Sequence, residues 1–460
     1  MSRTRKMASL CAAFAILTAS CGSDDPTDDA VEEPEDGVAV DDEAPSDGEA
    51  PIDGEATQAP TADDVTLEVW SWLPNDHPEG PGTYDEIFSN FEAMYPNVTI
   101  DLTAMPYPTF WDTWSNAAIA GTGPDVISMY GGATAVAYAD SLIPMQDLLS
   151  TETTDDLRFL ESSVSPDGNL YAVPAGAYAY YLLANETLLA DAGLDAATAF
   201  GDWESLLSTC ATLAEAGTTP IASGWSDGYV VENYMYVFMS QLLDPESFDQ
   251  WVNAELELSD PRFEDAMNRL VEMIDADCFS DASEGMTLYN DAFDEAVSGD
   301  AASVVVGGID TALSAEENNG AGSMTALAFP QLPGSEYDNV SDAGPNQGWS
   351  VTSFSDNREF STLLVEHIVS AESQELLWEN TQLPPNRFSL DVTSDSVIVT
   401  EFLDIIEEPE NHTVFMAFTD PALAVFQREA SNLIAGRTEP ADILHEANEA
   451  QQRALSDLDG

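Results

Sequence analysis

Positive charge is nearly absent from this chain. One lysine and ten arginines stand against 85 acidic residues in 460. Beyond Cys21 no lysine remains and only eight arginines do. Phosphate recognition needs cationic groups, so nucleic acid and anionic membrane surfaces are poor partners. The imbalance implies either a heavily solvated surface suited to high salt or a store for cations or polyamines; we read it as the former. Cysteine is also scarce. There are four, with no C-x-x-C, which argues against a structural zinc site. Cys210 and Cys278 fall on apolar helical stripes (Trp203, Leu206, Leu207, Leu213 and Met267, Leu270, Val271, Ile274), where a disulfide or two buried thiols would fit. No cofactor and no metal is expected.

What is present begins with a basic start, Arg3, Arg5 and Lys6, and an apolar run from Met7 to Ala19 that is too short for a stable membrane span. Together they read as a secretory signal over residues 1–20. Leu17-Thr18-Ala19-Ser20-Cys21 resembles the lipobox of bacterial lipoproteins, with Thr18 where a leucine is usual; an ordinary signal peptide cut nearby is the alternative. Residues 22–64 hold 17 acids, five prolines, no aromatic residue and no lysine or arginine. Such a segment buries too little apolar surface to offset its ordering entropy, and its charges extend it. Residues 21–64 are therefore read as a lipidated cysteine followed by a disordered acidic linker. The protein is expected outside the cytoplasm, held to the cell membrane by lipid alone.

The remaining body alternates strand and helix patterns. Val65–Trp70 reads as a strand, and Thr83 with Glu86 as a capping box before the apolar face Ile87, Phe88, Phe91, Met94. Val98, Ile100 and Leu102 mark a second strand, Thr109–Ala120 a helix and Val126–Met129 a buried strand. Leu170–Pro174 and Ala177–Ala184 look like a crossing between lobes. Helices are predicted near Asp202–Gly217, Tyr229–Leu243, Pro261–Ala276, Tyr289–Ser298, Asn357–Asn380 and from Pro421 onward. Ala302–Val306 and Gly348–Thr352 read as strands. Alternation of this kind implies parallel pairing in an α/β fold.

Several segments then carry a resemblance. Ala117-Ala118-Ile119-Ala120-Gly121-Thr122-Gly123-Pro124-Asp125-Val126, Ser141-Leu142-Ile143-Pro144-Met145 and Gly168-Asn169-Leu170-Tyr171-Ala172-Val173-Pro174 recur in order with Asp202-Trp203-Glu204, Gly217-Thr218-Thr219-Pro220-Ile221-Ala222, Phe293–Ala302, Ser370-Ala371-Glu372-Ser373-Gln374 and Leu383-Pro384-Pro385. Their order resembles that of extracellular solute-binding proteins of sugar-type ABC importers, the group that includes the maltodextrin-binding proteins. The resemblance implies a two-lobed periplasmic-binding-protein type II fold with hinge crossings near Val173, Val351 and Pro384. It places one lobe in 65–173 and 350–382 and the other in 174–349 and 383–460. It also implies a monomer that captures a mono- or oligosaccharide and delivers it to ABC permease subunits.

Sugar rings present apolar C–H faces and hydroxyl rims, so their sites need aromatic platforms with a few polar groups, outside the carboxyl ends of strands. Trp72, Tyr130, Gly131, Trp225, Asp227, Asp310 and Trp349 stand at such places. One of Trp70 and Trp72 belongs to the core, Tyr178 and Tyr180 are secondary candidates, and Asp125 reads as a turn residue. Two other readings compete. Gly224-Trp225-Ser226-Asp227-Gly228 has the G-x-S-x-G form of a nucleophile elbow, and His367, His412 and His445 could complete a hydrolase triad. An acidic cleft could instead receive a polyamine. A glycosidase would need two opposed carboxylates. The receptor reading, without catalysis, is taken.

Overall fold

Val65–Ser71 (β1) buries Leu67 and Val69 on one side and turns Thr66 and Glu68 outward, as its alternation requires. It is the second strand of a five-stranded sheet ordered β2-β1-β3-β9-β4, with β2 at Val98–Ala104, β3 at Val126–Met129, β4 at Val173–Pro174 and β9 at Gly348–Val351. A computed structural model supplies this description for residues 64–458, except 310, 312, 315–322, 338–339, 409–410 and 412. The signal segment, Cys21, the acidic linker, Asp310 and His412 lie outside the described residues.

A second sheet is centred on Ala177–Asn185 (β5), flanked by Ser303–Gly307 (β6) and Met324–Leu327 (β7), with Ala343–Pro345 (β8) pairing the start of β5. β1 pairs β2 and β3 in parallel, as expected. The rest corrects that expectation. β9 runs antiparallel to both β3 and β4, and β5 antiparallel to β6, β7 and β8. The reason is that β4, β5, β8 and β9 are the segments that pass between the sheets, so each return reverses direction. Among the described residues, parallel pairing at and just before β6 survives only as the bridges Thr219–Ala301 and Ala222–Val304.

Both sheets are covered on two faces. Leu182 and Ala184 of β5 enter one core, while Tyr181 and Leu183 enter another. In the first sheet Val69, Val126 and Trp349 pack on one side, and Ile127 and Met129 on the other with Trp72. Two cores per sheet explain why β3 is buried at every position. Three crossings join the halves and bond to one another. Ala175 N donates to Gln347 O, Asn346 N to Gly176 O and Ala177 N to Pro384 O, at 3.1, 2.8 and 2.8 Å. Together these form the two-lobed α/β arrangement that the sequence implies.

Helix limits follow local chemistry. Asp202 caps Trp203–Ala216 by accepting from Ser205 N, and Gly217 ends it with φ +80°. The proposed Thr83–Glu86 box fails, because Gly80–Met94 starts earlier with proline in its first turn; Thr83 Oγ1 instead donates to Glu79 O inside the helix. Cys210 and Cys278 form a disulfide spanning 68 residues, deep in the same core as Leu206 and Leu213. No helix of the described residues is long and apolar enough to cross a membrane.

Candidate functional site

Between the ends of the two sheets lies a cavity of about 1020 Å³. Residues that follow β1 (Trp72, Asp76, His77), β3 (Tyr130, Thr134) and β6 (Gly308, Ile309) line it, so it opens at the carboxyl ends of strands from both halves. All three crossings reach it, through Ala177 and Tyr178, Asn346 and Gln347, and Leu383.

The wall on the side of the first sheet is built of rings. Trp111 lies nearly parallel to Tyr130, with centroids 6.0 Å apart and planes 8° apart. Trp72 sits behind them, fully buried, edge-on to Phe110 at 4.6 Å and tilted 5.5 Å from Tyr130. Tyr107, 45% exposed, stands edge-on to Trp72. The helix Tyr107–Ala120 places Tyr107 and Trp111 one turn apart on one face. Tyr130 also meets Phe415 of the opposite half edge-on at 5.2 Å.

The opposite wall is polar. The helix Val230–Leu242 presents Glu232, Asn233 and Tyr236 to the cavity at helical spacing. Tyr236 Oη donates to Glu232 Oε2 at 2.9 Å, while Glu232 Oε1 and Asn233 Nδ2 are buried with no hydrogen-bond partner. Burial, with the nearby Asp420 carboxylate adding to it, pushes Glu232 up to about 8 despite hydrogen bonds from Gln427 and Tyr236. Asp420 is also raised by desolvation, although Thr134 Oγ1 donates to it at 3.3 Å. Behind this wall Asp342 accepts from Tyr178 Oη at 2.7 Å, and burial raises it to about 7. Burial likewise raises the phenols of Tyr130, Tyr178, Tyr180 and Tyr236, so they serve as neutral hydroxyls. Tyr229 and Tyr289, the latter 40% exposed, stack at 6.2 Å beside them. No lysine or arginine is among the described residues lining the cavity.

The expected residues divide. Trp72, Tyr130, Asp227, Tyr178 and Tyr180 line the cavity. Asp227 Oδ2 accepts from Tyr229 Oη at 2.9 Å and Leu288 N at 2.7 Å, so it holds the loop carrying the Tyr229–Tyr289 pair. Trp225 and Trp349 are corrections, since both are 0% exposed and neither lines the cavity. Trp225 packs on Phe279, and Trp349 lies in β9 against Tyr84 and Phe88. Their neighbouring glycines serve backbone packing rather than ring exposure. A Cβ on Gly224 would lie 2.1 Å from Leu288 N, and one on Gly348 2.5 Å from Val173 O. Gly131 is a third correction; it packs on Ser163 at a distance that a Cβ would violate, outside the lining. Tyr107, Trp111, Glu232, Asn233, Tyr236 and Tyr289 were missed. For Tyr107 with Trp111, and for Glu232 and Asn233 with Tyr236, the available signal was i, i+3 and i+4 spacing on single helix faces.

Among the described residues, which leave out His412, no hydrolase constellation forms around Ser226. Ser226 Oγ donates to Met286 O at 2.7 Å and does not line the cavity. His367 is buried with Nε2 at 2.9 Å from Ile87 O, and His445 lies 3.7 Å from Glu449 on the last helix. Among the described residues no group of His, Cys, Asp and Glu could hold a metal ion.

A sequence model of the bacterial extracellular solute-binding proteins matches residues 75–375. No curated protein matches the chain. Solved structures share the fold. A chitin oligosaccharide binding protein superposes with TM-score 0.73 and 19% identity, covering 85% of this chain and 99% of its own. A protein from work on xylan utilisation by the thermophilic bacterium Caldanaerobius polysaccharolyticus gives 0.70 and 19%, covering 84% and 99%. The GacH receptor of Streptomyces glaucescens, solved unliganded and with acarbose, gives 0.66 and 22%, covering 86% and 99%.

Proposed function

This chain belongs to the bacterial extracellular solute-binding proteins, and we propose that it captures an oligosaccharide between its lobes and delivers it to the permease of an ABC importer. The observation that carries the reading is the ring wall, where Tyr107, Trp111 and Tyr130 face a cavity contributed by both halves. Sugar faces stack on such rings, and the neutral phenols and amides opposite can meet hydroxyl rims. A volume of about 1020 Å³ lies at the upper end of small-ligand sites, which favours several linked rings over a single one. Relatives of like fold that bind chitin oligosaccharide or acarbose agree with this class.

Capture works by closure at the three bonded crossings. The lobes we assign are 65–173 with 350–382, and 174–349 with 383–460. The present form already joins them through Thr134–Asp420 and Tyr130–Phe415. A lipid on Cys21 and the acidic stretch of 22–64 would keep this monomeric body near the membrane without a span of its own.

A thermal-shift screen of the body from Val65 onward, against sugars, polyamines and short peptides at low and high salt, tests the reading. A ligand that binds only the native state raises the melting temperature, by the equivalent of about 2.7 kcal/mol at a hundred times Kd. A sugar-selective rise is expected. A rise with polyamines alone, or with nothing, overturns it. Palmitate labelling in a bacterial host, lost on Cys21→Ala, tests the anchor.

A further inference from the structure

A segment outside the three crossings also joins the halves. Ala417 of the turn Phe415–Ala417 enters the same core as Leu182 and Ala184 of β5, yet the helix Gly132–Val136, which follows β3, packs against this turn. The approach is close at the backbone. A Cβ on Gly132 would lie 2.1 Å from Met416 O, and Gly132 has φ +61°, so only glycine fits there without strain. Ser165 Oγ donates to Gly132 O at 2.7 Å and holds the glycine in place. Two residues to either side in sequence, Tyr130 meets Phe415 and Thr134 meets Asp420.

The turn itself is fixed by three other elements. Trp251 Nε1 donates to Val414 O at 3.1 Å. Gln451, on the last helix, accepts from Thr419 N and Oγ1 at 2.9 and 2.8 Å and donates to Ala417 O at 2.8 Å. Asp342, fully buried just before β8, accepts from Val414 N at 2.5 Å and from Tyr178 Oη at 2.7 Å. It thereby ties the turn to two of the crossings. A Cβ on Gly344 would lie 2.6 Å from Thr413 Oγ1, so β8 is shaped to this loop as well. Buried backbone bonded in this way does not reorganise freely.

We propose that the turn Phe415–Ala417, seated by Asp342, latches onto Gly132 and holds the cleft at the width where Phe415 meets Tyr130, before any solute arrives. Both rings line the cavity, so the latch sets the spacing of its walls. Gly132 and Asp342 are positioning residues, since neither lines the cavity. The contacts are between protein atoms alone and require no solute. Their consequence for binding rests on the oligosaccharide reading. A solute that meets a preset cleft does not have to offset the cost of closing it. Opening the latch reduces apparent affinity by the fraction of molecules left competent.

Small-angle scattering of Thr61–Gly460, a compact unit in itself, reads the latch without sugar. Each variant is first shown folded by circular dichroism. Gly132→Ala drives a methyl against Met416 O and should raise the radius of gyration. Gly121→Ala should not, because Gly121 has φ +68° with open space where a Cβ would go, which separates the clash from backbone strain. Asp342→Ala should expand the protein, and Asp342→Asn should not, since its amide still accepts from Val414 N and donates to Tyr178 Oη. If Gly132→Ala does not fold, the Asp342 pair decides. An unchanged radius in Gly132→Ala and Asp342→Ala, or equal expansion in their controls, overturns the proposal. Calorimetry with maltotetraose and tetra-N-acetylchitotetraose carries the test to binding. Affinity for whichever binds should fall about tenfold in Gly132→Ala and Asp342→Ala, as when a tenth of the molecules stay competent. Asp342→Ala should add little once Phe415→Ala is present, because the two act through one contact. Unchanged affinity or additive losses overturn the positioning role. If no sugar binds at all, the oligosaccharide reading has failed, and the scattering alone decides the latch.

Discussion

The two walls of the cleft contrast in how complete they are without a ligand. On the side of the first sheet, Trp72, Trp111 and Tyr130 pack on one another and on Phe110, so the platform is held in place by contacts that exist when the site is empty. On the opposite side, Glu232 Oε1 and Asn233 Nδ2 are buried without partners, and burial pushes the Glu232 carboxyl up to about 8. A ring needs only shape to be ready, because dispersion and the hydrophobic effect do not require a specific partner atom. A buried polar group is incomplete until something bonds it. On the proposed function, the first wall would supply general affinity for ring-shaped ligands, and the second would supply discrimination among them.

The largest effects should fall behind the walls rather than on them. Trp349→Ala and Trp225→Ala each empty a fully buried site and should cost about 3–5 kcal/mol in denaturant unfolding. If either variant keeps wild-type stability but loses sugar binding, the division between core and cleft tryptophans is wrong. Loss of the Cys210–Cys278 bond comes next in kind, since chain entropy for a loop of 68 residues gives about 4 kcal/mol. The double Cys→Ser variant should melt well below the parent with its ligand preference unchanged.

The polar wall makes a pH prediction whose sign is fixed. Glu232 has its folded pKa raised from 4.5 to about 8, so the native state binds more protons than the unfolded state between those values. Its contribution to stability is fully present below about pH 4.5 and is lost as pH rises toward 8. Glu232→Gln should remove this slope, by at most roughly 1.4 kcal/mol per pH unit. Denaturant midpoints at pH 5 and pH 8 check it. An unchanged decline in the variant would mean that Glu232 is charged in the native state.

Much of this was legible in order and little of it in orientation. Strand and helix limits came within a few residues because turn chemistry marks them, as at Asp202 and Gly217. The ends of β1 and β3 led to Trp72 and Tyr130, which the structure places in the cavity wall. Tryptophan beside glycine misled at Trp225 and Trp349, because the same dipeptide serves ring exposure or close backbone approach, and only the partner segment decides. The face of Val230–Leu242 was hidden for a related reason. Tyr229, Glu232, Asn233 and Tyr236 lie at helical spacing in an otherwise apolar helix, and pattern alone cannot tell a second core from a cleft.

The smallest predicted binding change that still separates the walls is at the ring platform. Trp111→Ala removes the near-parallel partner of Tyr130 and exposes Trp72, but it leaves the sheet behind untouched. Aromatic contacts of this kind contribute about 0.5–1.5 kcal/mol beyond burial, so affinity should fall by roughly three- to tenfold. Because the platform does not read polar groups, the loss should be equal for every sugar that binds. Calorimetric titration of two sugars that differ in their polar groups settles the point. A loss confined to one of them would mean that the ring wall discriminates as well, and the contrast between a general wall and a selective one would not stand.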